Sequence, residues 1–475
     1  HIIYGRSATA GAFSDITLST MTSTTGFTIT GATAGDALGS AVNAAGDVNG
    51  DGIQDMIIAA PKAEPSPQTS TFNSGITYVV YGRNSQQTAF ADFSISLLAT
   101  TPSFGFRIIG AASNDQSGNM VSRAGDINGD GVDDVLIGAN NAEIVLAAAQ
   151  SGVAYVVFGR KGAAPFGDVL LAGIITGSLD GFRVGGATSA DQLGMAVGYA
   201  GDFDGDGGSD ILIGAPYADP PSTSTTRLNA GIVYVLFGNA SSIHDMDLQL
   251  FVSSNQAGFR IVGHFANLRL GWVASGAGDI NGDGYDDLVL GTNPFSTYSY
   301  GLAYVIFGHR PQQSYQDVLL SAPYWGYELR GGGAVDYSGN AVSSAGDFNG
   351  DGFADILISS SLAHYKGRLY AGTVHVIFGH SNSTPFANLN TAYFVSNHTS
   401  GFMIGGENEL DGVGAGVSSA GDVNDDGLDD IIIGSSRYAR NATAPSCGIA
   451  YVIFGHTNVS ELDLRNFTSG ALSGM

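Results

Sequence analysis

The sequence predicts an all-β fold, a β-propeller of four-stranded antiparallel blades, on three observations. An acidic, glycine-containing loop pattern recurs along the chain. Short Gly-bounded runs rich in Val, Ile, Phe and Tyr follow each copy in a fixed order. No stretch sustains the apolar period of a helix.

The loop pattern comes first. "GDVNGDGIQD" (46–55) returns as "GDINGDGVDD" (125–134), "GDFDGDGGSD" (201–210), "GDINGDGYDD" (278–287), "GDFNGDGFAD" (346–355) and "GDVNDDGLDD" (421–430), with first aspartates 68–79 residues apart. Such a period marks a structural repeat. A small-residue segment such as "LGSAVNAAG" precedes each copy, and an apolar run such as "DILIGAP" follows it. Past a variable loop come "YVVFGR"-type and then "GFRIIG"-type runs. Their length, β-branching and flanking Gly read as strands.

Four short strands per unit match a propeller blade. One such sheet cannot cover both of its faces, so neighbouring units must stack about an axis. The expected organisation is one propeller over 1–475. Residues 1–37 hold closing strands, and the blades are 38–110, 117–186, 193–263, 270–331, 338–406 and an incomplete 413–475. Six blades result if "GFTITG" (26–31) completes the last one, leaving "HIIYGR" (1–6) as an extra edge strand. A seventh blade drawing inner strands from outside, and strand donation between molecules, are the alternatives.

The loops read Asp-x-Asn/Asp-x-Asp-Gly-x-x-Asp. Calcium takes about six to eight oxygen ligands, and positions 1, 3, 5 and 9 offer side-chain oxygens with a backbone carbonyl at position 7. The candidate ligand sets are Asp47, Asn49, Asp51, Ile53 and Asp55; Asp126, Asn128, Asp130, Val132 and Asp134; Asp202, Asp204, Asp206, Gly208 and Asp210. In the second half they are Asp279, Asn281, Asp283, Tyr285 and Asp287; Asp347, Asn349, Asp351, Phe353 and Asp355; Asp422, Asn424, Asp426, Leu428 and Asp430. Turn chemistry alone does not require the last Asp of each set. An EF-hand would need Glu at position 12, where the first copy has Ile58 inside a strand. Magnesium keeps its waters and suits so many fixed oxygens poorly, and zinc would want Cys or clustered His. The prediction is up to six structural Ca2+ ions.

Composition bounds the rest. Net charge is −25, and the six loops hold 23 of the 43 acidic residues, which argues against nucleic acid as a partner. No apolar run of about 18 residues predicts a membrane span. The chain opens at His1 without Met or a signal-type core, which reads as a processed chain or a fragment. A single cysteine, Cys447, excludes an internal disulfide framework. Sequons stand at Asn239, Asn382, Asn397, Asn441, Asn458 and Asn466 as candidate glycosylation sites. Variable loops at 62–75, 217–231 and 436–448 lie at the blade ends opposite the Asp loops, where recognition usually sits. Arg107, Arg183 and Arg260 repeat at one position and read as a solvent edge. No catalytic motif is present and the Asp clusters are committed to metal, so the expectation is a non-enzyme.

"LGSAV…GDVNGDGIQDMIIAAP…GITYVVYG" and "LGMAV…GDFDGDGGSDILIGAP…GIVYVLFG" resemble FG-GAP repeats, the blades of the integrin α-subunit β-propeller. Gly39, Gly118, Gly194, Gly271, Gly339 and Gly414 stand where that family places the Gly opening the innermost strand. The resemblance implies calcium loops on the bottom face, an extracellular or cell-surface location, and a role in adhesion, protein binding or extracellular structure. Its partners would be an extracellular protein or glycan, or copies of itself. The alternatives are a glycosylated filament or coat assembled head to tail, and a non-catalytic accessory domain of a secreted enzyme.

Overall fold

Continuous rather than alternating apolar runs decide the architecture, because the second and third strands bury both of their faces and so must be covered on both. The computed structural model describes residues 1–475 except 8–12, 66–71, 85–89, 144–149, 163–165, 175–177, 221–226, 239–243, 294–299, 311–313, 322–323, 334–335, 384, 439–446, 458–459 and 468–475. It is an all-β, six-bladed propeller of antiparallel sheets. Among the described residues the helical segments are 3-10 turns of three to five residues.

From the inner strand outward, blade 1 holds Val42–Gly46, Asp55–Ala60, Ile76–Val80 and Gly105–Ile109. Blade 2 holds Met120–Gly125, Asp134–Ala139, Val153–Val157 and Gly181–Gly185. Blade 3 holds Ala196–Gly201, Asp210–Ala215, Ile232–Leu236 and Phe259–Val262. Blade 4 holds Val273–Gly278, Asp287–Gly291, Leu302–Ile306 and Gly326–Arg330. Blade 5 holds Ser338–Gly346, Asp355–Ser360, Thr373–Ile377 and Gly401–Gly405. Blade 6 shows three strands, Gly416–Gly421, Asp430–Ser435 and Ile449–Ile453. Inner strands of successive blades pack side by side from blade 1 to blade 6.

Blades 1 to 5 also carry a parallel fifth strand that sequence reading did not anticipate. Before its own outer strand, each unit lays two residues along the outer strand of the preceding blade. Val169–Leu170 joins blade 1, Met246–Asp247 blade 2, Val318–Leu319 blade 3, Leu389–Asn390 blade 4 and Leu462–Asp463 blade 5. The repeated arginines staple these crossings. Arg107 binds Asp168, Arg183 binds Asp245 at 2.9 Å, and Arg260 binds Asp317 at 2.7 Å. They are partly exposed pairs, each worth up to about 1 kcal/mol.

The core lies between blades rather than at one centre. Ile57 and Val79 of blade 1 pack with Val135, Ile137 and Tyr155 of blade 2. Leu212 and Val235 of blade 3 pack with Leu288 and Tyr304 of blade 4, and Leu357 and Val376 of blade 5 with Ile431 and Ile433 of blade 6.

One expectation about the ends is corrected. "GFTITG" does not complete blade 6. Gly26–Phe27 pairs antiparallel with Ile2–Ile3, and Ile29–Thr30 runs parallel to Phe93–Ser94. The reason is packing: Phe27, with Ile2, Tyr4 and Ile29, seats against Ile58, Tyr78 and Val80 of blade 1. The N-terminal strands are thereby held as a two-stranded unit ahead of blade 1. Among the described residues, Ile449–Ile453 pairs only with Asp430–Ser435.

Candidate metal centres

Every Asp loop joins the inner and second strands of its blade, and its own side chains fold it. In the first loop, Asp47 accepts hydrogen bonds from the backbone N–H of Asp51 (2.9 Å) and Gly52 (2.7 Å). Asn49 Oδ1 accepts from Asp51 N–H at 2.8 Å, and Asp51 Oδ1 from Ile53 N–H at 2.9 Å. The same set recurs around Asp126, Asn128 and Asp130, and around Asp279, Asn281 and Asp283. It recurs again around Asp347, Asn349 and Asp351. Glycine at position 6 has φ between 83° and 91° in all six copies, a left-handed turn that other residues resist.

The last Asp of each loop does more than the sequence assigned to it. Asp55 accepts from Val48 N–H (3.1 Å) within the loop and from Gly82 N–H (2.8 Å) at the end of the third strand. Asp210 is fully buried and accepts from Phe203 N–H (2.9 Å) and Gly238 N–H (3.0 Å). Asp134, Asp287, Asp355 and Asp430 repeat both bonds. This residue therefore ties the loop to the sheet. Burial pushes its carboxyl up, to about 7 at Asp55, about 8 at Asp134, Asp287 and Asp355, and about 6 at Asp430. Asp210 is raised well above the ordinary range for the same reason. Carboxylates held in this way need nearby positive charge to stay ionised.

The donor set fits a hard cation. In the third loop, Asp202, Asp204 and Asp210 bring ligand oxygens within 4.8 Å of one another. Asp202 Oδ1 and Asn424 Oδ1 are buried acceptors with no hydrogen-bond partner. An orphaned oxygen facing other oxygens is what a cation site presents before it is filled.

A second acidic device went unread in the sequence. The carboxylates of Asp133, Asp286 and Asp429, at loop position 8, accept the N–H of Asp47 (2.7 Å), Asp202 (2.8 Å) and Asp347 (2.9 Å) in the preceding blade. The signal was available: the doubled Asp occurs only in loops 2, 4 and 6.

The remaining predicted sites are dispersed. Asn382 and Asn466 are exposed, while Asn397 is half-buried; Asn239, Asn441 and Asn458 lie outside the described residues. Cys447 is exposed. Parts of the three variable loops also lie outside the described residues. No helix of the described residues is long and apolar enough to cross a membrane.

Comparison with known proteins places this geometry. The FG-GAP repeat model matches residues 39–79, 196–236, 271–306 and 338–377. Integrin alpha-PS2 of Drosophila melanogaster is 29% identical over 163 residues, 31% of this chain and 11% of the relative. Integrin alpha pat-2 of Caenorhabditis elegans is 26% identical over 258 residues, 53% of this chain and 18% of the relative. Phosphatidylinositol-glycan-specific phospholipase D of Mus musculus is 31% identical over 185 residues, 38% of this chain and 20% of the relative. The chain thus spans a fifth or less of the length of each of these relatives.

Proposed function

We propose, from the premise that this chain is an FG-GAP repeat protein built like the integrin α-subunit propeller, that it is a calcium-stabilised extracellular binding module. Its work is adhesion or attachment to an extracellular protein or glycan, without catalysis. The observation that carries this reading is the loop set: six hairpins of one geometry, with buried, raised carboxylates and two orphaned acceptor oxygens. Ca2+ in these loops would neutralise them and fix the bottom face. That leaves the opposite loops free to vary on a rigid scaffold.

Calcium titration by calorimetry and terbium luminescence tests the reading. Saturable binding approaching six equivalents supports it, and no binding to folded protein removes it. The similarity to the phospholipase D of Mus musculus favours a second reading, an accessory domain beside a catalytic one. The module would then hold its enzyme to a surface or substrate. Pull-down of extracellular-matrix protein against lipid vesicles separates the two.

A further inference from the structure

Every Asn-Gly pair in the chain lies inside an Asp loop, at positions 3 and 4: Asn49-Gly50, Asn128-Gly129, Asn281-Gly282 and Asn349-Gly350. Loop 3 has Asp204-Gly205 there, and loop 6 has Asn424-Asp425. Asn-Gly is the pair most prone to deamidation, because a glycine without Cβ leaves its backbone nitrogen open to the preceding side chain. We propose that Asn128 is a deamidation site of the folded chain, the fastest of the four, and that a cation in its loop protects it. The site is read from the geometry of the chain; the protection rests on the proposed calcium occupancy of the loops.

The step needs only water. The Gly129 nitrogen, having lost its proton to solvent, attacks Cγ of Asn128. The N–Cγ bond forms and the Cγ–Nδ2 bond breaks, and Nδ2 takes a proton from solvent and leaves as ammonia. Water then adds to one carbonyl of the cyclic imide and opens it to an aspartyl or an isoaspartyl residue.

The four pairs share a motif but not an environment. A Cβ on Gly129 would meet nothing within 4 Å, whereas one on Gly282 or Gly350 would strike Phe353 or Leu428 of the next blade. One on Gly50 would strike the stem of Lys161. Asn281 and Asn349 are 1% and 8% exposed, while Asn49 and Asn128 are half-buried. The N–H groups of Gly282 and Gly350 donate to the Asp279 and Asp347 carboxylates at 2.7 and 2.8 Å. Removing either proton would set a second negative charge beside the first. In loop 2 the Asp126 carboxylate accepts from Asp130 and Gly131 instead, and no hydrogen bond among the described residues holds the Gly129 N–H. Asn128 therefore leads, with Asn49 second.

The surroundings of Asn128 favour the reaction. With Asp130, Arg160 and Asp180 it lines an open cavity of about 640 Å³ that admits water. As in loops 1, 4 and 5, the Asp at position 5 donates its N–H to the asparagine Oδ1, here at 2.9 Å, and draws charge from the carbonyl under attack. The Lys161 ammonium lies over Gly131, 3.0 Å from where a Cβ would stand, and its positive charge favours the anionic intermediate. Asn128 Oδ1 is also a candidate ligand oxygen, so a cation in the loop would hold the side chain off the Gly129 nitrogen. The aspartyl product gives loop 2 the acidic set of loop 3, whereas the isoaspartyl product lengthens the main chain inside the turn.

The test incubates the whole chain in mildly alkaline buffer with calcium, with chelator, or unfolded in urea. Peptide mapping by mass spectrometry follows the amide-to-acid mass gain at each Asn-Gly pair. In chelator, Asn128 should convert about tenfold faster than Asn281 or Asn349, and calcium should slow it about tenfold. In urea the four rates should converge to within about twofold, because the order comes from the fold. Equal rates at the four pairs of the folded chain, another pair in the lead, or an order that survives in urea overturns the site. Terbium luminescence on the same samples separates the two claims. A chain that takes up terbium while calcium leaves the Asn128 rate unchanged overturns the protection. A chain that takes up none overturns the calcium occupancy and the protection with it, and the order of rates still decides the site.

Discussion

Chelation of calcium should cost the protein a large share of its stability. A loop with a Kd of about 0.1 mM, in the range of extracellular calcium modules, gains about 1.4 kcal/mol from linkage at about 1 mM free calcium. Six such loops sum to about 8 kcal/mol, comparable with the total stability of an ordinary domain at about 5–15 kcal/mol. At about 2.1 cal/mol/K per residue, unfolding 475 residues carries an entropy of about 1 kcal/mol/K, so the melting temperature should fall by about 8 °C. Differential scanning calorimetry with and without chelator reads this directly. The pH dependence adds an internal check. In the cation-free chain, burial raises Asp55, Asp134, Asp287, Asp355 and Asp430 to about 6–8, against an ordinary 3.8, and raises Asp210 in the same direction. The folded state then holds more protons than the unfolded one. The stability these groups retain below about pH 4 is lost as pH rises through 6 to 8. The calcium-dependent shift should therefore widen from pH 5 to pH 8. An unchanged melting temperature on chelation, or a shift that narrows with rising pH, refutes the reasoning.

Three further outcomes follow from single side chains. Asp210→Asn leaves one of the Phe203 and Gly238 N–H groups unpaired, at about 1–3 kcal/mol. It should lower stability most when calcium is present, read by urea denaturation with and without chelator. His375 stands where the other third strands place Tyr. It is buried with neither ring nitrogen hydrogen-bonded, and burial lowers it from 6.5 to about 4. Its neutral form is fully tolerated above pH 6.5, and stability is lost as pH falls from there toward 4. His375→Phe should remove about 2–3 kcal/mol of that loss at pH 4.5, measured by chemical denaturation across pH. Gly201→Ala and Gly421→Ala both strain a left-handed glycine (φ 78° and 63°), but only the first also drives a Cβ into Asp286. Gly421→Ala should cost about 1 kcal/mol, and Gly201→Ala clearly more, compared by thermal melts.

The repeat made the blade legible because its signals are local. Asp at positions 1, 5 and 9 fixes the loop through hydrogen bonds to N–H groups no more than seven residues away, except for the bond to the third strand. Continuous runs of Val, Ile and Leu then set the strands. Long-range relations were harder to read. The parallel fifth strand pairs segments about 60 residues apart, such as Val169 with Ile108, and two residues of pairing leave no periodicity to detect. The assignment of "GFTITG" to blade 6 failed for a related reason. A Gly-Phe-x-Ile strand matches the outer edge of any blade, and the choice is made by Phe27 stacking on Phe90 at 4.5 Å, a contact no local pattern encodes.

The blade seams show how a repeat differentiates without changing its fold. Asp133, Asp286 and Asp429 lock blade 2 to blade 1, blade 4 to blade 3 and blade 6 to blade 5 through the same carboxylate-to-N–H bond. At the intervening seams the residue at that position is Ser209 or Ala354. The junction between blades 2 and 3 instead carries Arg123 over the Tyr199 ring at 4.4 Å. The seams between blades 1 and 2, 3 and 4, and 5 and 6 thus carry a charge-assisted bond at loop position 8, while the intervening seams rest on their apolar packing and other contacts. Blade 6 closes the last pair. Its outward face, with Asp422 and Gly421 at the rim, has the form that blades 2 and 4 present to the next pair. In blades 2 and 4 that face is covered by the inner strand of the next blade.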